Sequence, residues 1–93
     1  MTYEVVMHPL VRKQLAILYR SSRPDYEYVK KRLLLLAYKP DMGQPLCDEF
    51  RGKWRIHIGP YVLVYMIDRP RKTLTILTFE HYTRVYDRFK AYA

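Results

Sequence analysis

The chain has a single cysteine, Cys47, among its 93 residues. That excludes an internal disulfide and any zinc cage built on cysteines, and it suits a reducing cytoplasm. Acidic side chains are scarce too: nine Asp and Glu stand against 17 Lys and Arg, for a formal net charge of +8. No apolar run reaches the roughly 18 residues of a membrane span, so no membrane association is expected. The opening MTYEVVMHPL has neither the basic start nor the long apolar stretch of a signal peptide. Internal repeats, low-complexity tracts and interdomain linkers are also missing, and residues 1–93 are expected to form one domain. With 49% apolar residues the composition is that of a globular protein, which excludes wholesale disorder.

The positive charge is concentrated towards the C-terminus. Residues 1–50 hold eight Lys/Arg and six Asp/Glu, a balance of +2, whereas residues 51–93 hold nine and three, a balance of +6. A field of this kind suits a polyanionic partner, either nucleic acid or an acidic protein. Ten tyrosines add surfaces on which bases can stack.

The densest information lies between Arg51 and Tyr65, RGKWRIHIGPYVLVY. Gly59-Pro60 splits two alternating runs and reads as a type II′ hairpin turn, glycine taking the positive φ and proline the negative one. Pairing the arms sets Ile58 against Tyr61, His57 against Val62, Ile56 against Leu63 and Arg55 against Val64. Alternation then puts Trp54, Ile56, Ile58, Tyr61, Leu63 and Tyr65 on a face that must be buried. Lys53, Arg55 and His57 share the other face.

Elsewhere the pattern predicts a short strand at Tyr3–Met7 and a helix opened by His8-Pro9 and broken at Ser21-Ser22-Arg23. His8 reads as local structure at that helix start. A second helix is expected from about Pro24 to Tyr38, with Asp25 and Glu27 in its first turn. Its consecutive leucines, Leu33 to Leu36, predict cover on more than one side. Lys39 to Pro45 reads as a loop and Leu46 to Gly52 as irregular. After the hairpin, Asp68 to Lys72 turns the chain into a third meander strand, Thr73 to Phe79, and a short helix is expected from Thr83 onward. The order β-α-α-β-β-β-α predicts an α+β fold, two N-terminal helices packed on a mostly antiparallel four-stranded sheet. Val62, Val64 and Met66 make the middle strand apolar on its second face as well, which calls for cover there by the C-terminal helix, another copy or a partner segment.

The run Arg51-Gly52-x-Trp54-Arg55-Ile56-x-Ile58-Gly59-x-Tyr61-x-Leu63-x-Tyr65 and the closing His81-Tyr82-Thr83-Arg84-Val85-Tyr86 resemble the RelE/ParE superfamily of toxin–antitoxin proteins. Members commonly show a core of the form Leu-x-Gly…Tyr-Arg-Ile-x-x-Gly-x-Tyr-Arg-Val-x-Tyr and a His-Arg-x-x-Val-Tyr tail. The resemblance spans nearly the whole chain. It implies a toxin neutralised by an acidic antitoxin, a heterotetramer being one assembly open to the pair. In the RelE-like branch it implies metal-free, cofactor-free cleavage of messenger RNA on the ribosome; in the ParE-like branch, inhibition of DNA gyrase. The positions that match the ribonuclease site are Arg51, Arg55, His57 and Tyr86, with His81 close by. Val62 and Tyr82 stand where ribonuclease members tend to carry arginines, although Arg84 approaches the second of these from the tail.

Cleavage through the ribose 2′-OH needs a base, cations for the charge developing on phosphorus, and an acid for the leaving 5′-oxygen. Histidine is the residue type that titrates nearest neutrality, so His57 and His81 are expected to divide the proton transfers. Arg55 would clamp the phosphate through its planar fork. Lys53, Arg51 and Arg84 would add field, and Tyr86 would stack on a base. The competing readings are a non-catalytic gyrase inhibitor or activity-impaired scaffold, which Val62 and Tyr82 favour, and an RNA-binding module with no toxin role. Trp54 and Tyr65 are assigned to the core, Cys47 to no function.

Overall fold

A computed structural model describes residues 2–81. The predicted C-terminal helix, and with it Tyr82, Arg84 and Tyr86, lies outside the described residues. Strand β1 (Glu4–Met7) leads into helix α1 (Pro9–Ser21) and helix α2 (Arg23–Tyr38). These are followed by β2 (Gln44–Pro45), β3 (Lys53–Ile58), β4 (Tyr61–Asp68) and β5 (Thr73–His81). The strands form one sheet in the order β1-β5-β4-β3-β2, parallel only between β1 and β5. The expected α+β architecture is therefore present, with five strands rather than four among the described residues.

Both helices form for local reasons that the sequence carries. His8 caps α1 through its Nδ1, which accepts the Leu10 N–H at 3.1 Å, and Pro9 occupies the first turn, where no backbone N–H is needed. Val11, Leu15 and Leu18 recur at helical spacing and make one buried stripe. Ser22 serves both helices: its N–H ends α1 on the Leu18 carbonyl (2.8 Å), and its own carbonyl accepts the Tyr26 N–H of α2 (3.0 Å). Its extended backbone, at φ −152°, turns the chain back on itself.

Helix α2 buries Val29, Leu33, Leu36 and Ala37. Leu34 and Leu35, in contrast, are 63% and 51% exposed. The expectation that the leucine run would be covered on more than one side is thus overturned. The stripe at 29, 33, 36 and 37 is all that the two-layer packing needs, and the intervening leucines point away from it.

The hairpin register is the one the Gly59-Pro60 turn dictates. Ile58 pairs Tyr61, His57 pairs Val62, Ile56 pairs Leu63 and Arg55 pairs Val64, with Gly59 at φ 60°. Ile56, Ile58, Leu63 and Tyr65 meet Leu74, Ile76 and Phe79 of β5 and the buried stripes of both helices in a single core. Trp54 stacks on Tyr65 at 6.3 Å between ring centroids. On the opposite side of the sheet Val62 and Val64 are each 2% exposed, so the first half of β4 is buried on both faces as its composition predicted. Met66, further along, stands open.

Between α2 and β3 the expected loop is more ordered than its composition suggested. A 3₁₀ turn (Pro40–Met42) leads through Gly43 into β2, which pairs antiparallel with β3, Gln44 against Arg55 and Pro45 against Trp54. Residues 48–50 form a second 3₁₀ turn where the sequence suggested irregular chain. The anchor is Tyr65. Its ring is fully buried, its hydroxyl donates to the Pro40 carbonyl at 2.7 Å, and it accepts the Gly43 N–H at 3.2 Å.

Burial pushes the Tyr65 phenol up from 10.0 to about 12, opposed by the Gly43 N–H and reinforced by the Asp41 carboxylate. Because the folded value lies above the unfolded one, the neutral hydroxyl's contribution is complete below about pH 10 and is lost as pH rises towards 12. From the size of the shift, about 2–3 kcal/mol of stability should disappear across that window. Urea unfolding of the unaltered chain and of Tyr65→Phe at both ends of the window checks this. The stability gap between the two proteins should narrow as pH rises; a constant gap would show that the phenol does not titrate in this way.

Candidate active site

With both helices on one side, the other face of the sheet carries the side chains that the core does not use. Strand β3 presents Lys53, Arg55 and His57 there, the first two half-buried and His57 exposed. Strand alternation forces this outcome, since Trp54, Ile56 and Ile58 must all turn towards the helices. The three sequence-predicted residues of β3 are therefore brought together on one rigid strand. Arg51 lies exposed in the turn that leads into it.

The neighbouring strands complete two rows across this face. In one, Gln44 of β2, Arg55 of β3, Val64 of β4 and Thr78 of β5 lie side by side. Arg55 donates from Nη2 to the Gln44 Oε1 at 3.3 Å. In the other row His57 is followed by Val62 and then by Glu80, a carboxylate buried to 8% exposure. Lys53 lies opposite Met66, with its ammonium 5.9 Å from the centre of the Phe50 ring. The face thus combines a guanidinium, an ammonium and an imidazole with the Glu80 carboxyl group at its far side.

His81 does not join them. It pairs with Tyr61, whose ring it meets edge-on at 6.0 Å, and Tyr61 also stacks on Phe79 at 4.8 Å. A cavity of about 490 Å³ between His81 and helix α1, bordered by Gln14, Ile17 and Ser21, lies on the helix side of the sheet. His57 and His81, expected to divide the proton transfers, project from opposite faces of the sheet in this structure. The cause is a bulge. The β4–β5 pairing passes from Tyr65↔Ile76 to Val64↔Thr78 and skips Leu77. One extra residue reverses the parity of everything after it. Phe79 and His81 are turned to the core side, and Thr78 and Glu80 to the opposite face, where Glu80, Val62 and Val64 are buried.

Gln44 and Glu80 are the residues of this face that sequence reasoning missed. A two-residue strand carries no alternation from which Gln44 could be placed. For Glu80 the sequence does hold a signal. Leu77 follows Ile76 directly, and Phe79 then resumes the core one position out of step with Leu74 and Ile76.

The fold is that of the RelE-type toxins. The Mycobacterium tuberculosis RelBE2 toxin–antitoxin complex contains a chain 26% identical to this one, with a TM-score of 0.73 over 87% of this chain and 99% of that one. The RelE–RelB complex of Pyrococcus horikoshii contains another, 23% identical, with a TM-score of 0.68 over 90% and 99% of the two chains. In sequence, the putative toxin RelE4 of Methanocaldococcus jannaschii is 24% identical over 91 residues, 97% of each chain. The chain belongs to the ParE toxin family of type II toxin–antitoxin systems (parDE), whose family model matches residues 5–86.

Proposed function

We propose that this toxin cleaves messenger RNA on the translating ribosome, without a metal, through the β3 side of the sheet face that lies opposite the helices. The observation that carries this reading is the presentation of Lys53, Arg55 and His57 together by one strand, outside the core. In the reaction the ribose 2′-OH loses its proton and attacks the adjacent phosphorus. The bond to the 5′-oxygen breaks, that oxygen takes up a proton, and a 2′,3′-cyclic phosphate remains. Arg55 and Lys53 hold the phosphate and balance the charge that develops on it. His57, exposed to solvent for proton exchange, carries one of the two proton transfers. Arg51 and, in the tail, Tyr86 complete the RNA contacts on the strength of the family resemblance, and Arg84 adds positive charge beside them.

The partner we infer is an acidic antitoxin, in keeping with the +8 charge of this chain and with the antitoxin-bound state of its solved relatives. A cytoplasmic site of action follows from the same reading.

A second reading is gyrase inhibition without catalysis. Val62 and Glu80 favour it: they continue the row beyond His57 with a methyl surface and a carboxylate, neither of which holds a phosphate. Expressing the chain with and without its neighbouring gene product separates the two. Primer extension on translated messages should show breaks at A-site codons when the chain is expressed alone. Defects in DNA supercoiling with intact messages would instead establish the second reading.

A further inference from the structure

We propose that Gln44 is a positioning residue for Arg55, an inference that rests on the ribonuclease reading for its consequence but not for its geometry. Three independent features converge on this contact. First, β2 pairs with β3 over just Gln44 and Pro45, and the register sets Gln44 directly opposite Arg55 on the open face. Second, the Gln44 carboxamide oxygen accepts a hydrogen bond from the Arg55 guanidinium at 3.3 Å. Third, β2 is held in place by the core itself. The buried Tyr65 hydroxyl ties down both the Pro40 carbonyl and the N–H of Gly43, the residue immediately before Gln44.

Gly43 lies so close to β3 that an added Cβ would meet the Arg55 backbone carbonyl and come within 2.6 Å of the Tyr65 hydroxyl. So short an edge strand is weakly held by its own pairing, to which the Leu46 N–H adds one bond to the Lys53 carbonyl at 2.8 Å. Here a tyrosine from the central strand reaches beneath β3 to clamp it. The backbone position of Gln44, directly opposite Arg55, is thereby set from the protein interior.

An arginine fork recognises phosphate through the orientation of its plane, so a fixed neighbour on one Nη leaves the remaining N–H groups aimed rather than free. The contact uses the carboxamide oxygen of Gln44, and its amide nitrogen adds two donors beside the guanidinium. Gln44 therefore acts through Arg55 and supplements it, with no part in proton transfer.

The test compares Gln44→Met, of similar length but without the acceptor oxygen, with Gln44→Glu, which keeps an acceptor. The full-length protein is used for two readouts. The first is the signal of the Arg55 Nη2–H group, the donor to Gln44, in the free protein. It should be sharp and slowly exchanging in the unaltered chain and in Gln44→Glu, and broadened in Gln44→Met; an unchanged signal in Gln44→Met would overturn the proposal. The second is cleavage of a translated message. Gln44→Met should reduce it about tenfold in the unaltered background and far less in an Arg55→Lys background, as expected for residues that act as a unit. Equal losses in both backgrounds, or none, would overturn the proposal. Should the unaltered chain cleave no message, the ribonuclease reading fails, and the resonance alone decides whether Gln44 orients Arg55.

Discussion

Replacing His57 by alanine should lower message cleavage about a hundredfold or more, the usual contribution of a positioned acid or base. The loss should fall mainly on the chemical step, because Arg55 and Lys53 remain to hold the phosphate. It should leave stability nearly untouched, since His57 is exposed and belongs to no part of the core. The companion substitution gives the result its meaning. His81→Ala removes the other histidine of the pair that the sequence suggested, yet His81 stands on the helix side of the sheet against Tyr61. Cleavage by that variant should stay close to that of the unaltered protein. Single-turnover primer extension on stalled ribosomes measures both. Equal losses from the two substitutions would mean that the bulge at Leu77 does not hold on the ribosome and that the histidines do meet. Full activity of His57→Ala would remove the open face from the chemistry.

The two histidines mark where reading from sequence succeeds and where it stops. The β3–β4 register was legible to the residue because a two-residue turn leaves one pairing open, and Gly59-Pro60 marks that turn. From there alternation placed Lys53, Arg55 and His57 on the open face without further information. The β4–β5 pairing has no such constraint. Its connection through Asp68 to Lys72 is longer, and a bulge is a compromise between two strands that neither sequence states alone. The parity of Glu80 and His81 was accordingly out of reach, although the break in alternation from Ile76 to Phe79 hinted at it. The two helices were visible within about a residue from their caps and apolar spacing. The exposure of Leu34 and Leu35 was not, because apolar residues need not be buried when a single layer of packing suffices. Strand β2 was invisible for a different reason: it is held by contacts distant in the chain, a tyrosine 22 residues beyond Gly43 and the Lys53 carbonyl that accepts the Leu46 N–H, not by its own composition.

That dependence makes Gly43 the position where the smallest change should do the most structural damage. Gly43→Ala adds one methyl group, which would lie against the Arg55 backbone carbonyl and 2.6 Å from the Tyr65 hydroxyl. Neither neighbour yields easily: the carbonyl belongs to the sheet, and the tyrosine ring is fully buried. Relief requires β2 to lift from β3 and the hydroxyl to lose its partners. Overpacking and the exposed hydrogen-bonding groups together should cost about 2–5 kcal/mol in urea unfolding. Gly52 supplies the control. It sits at φ 94° with nothing near the position of an added Cβ, so Gly52→Ala should cost only backbone strain, about 1 kcal/mol. Combining Gly43→Ala with Tyr65→Phe should cost less than the two substitutions added together, because removing the hydroxyl removes one of the two collisions. A Gly43→Ala protein no less stable than Gly52→Ala would show that β2 is a loosely attached edge, and the ordering of Gln44 and Arg55 from the core would lose its foundation.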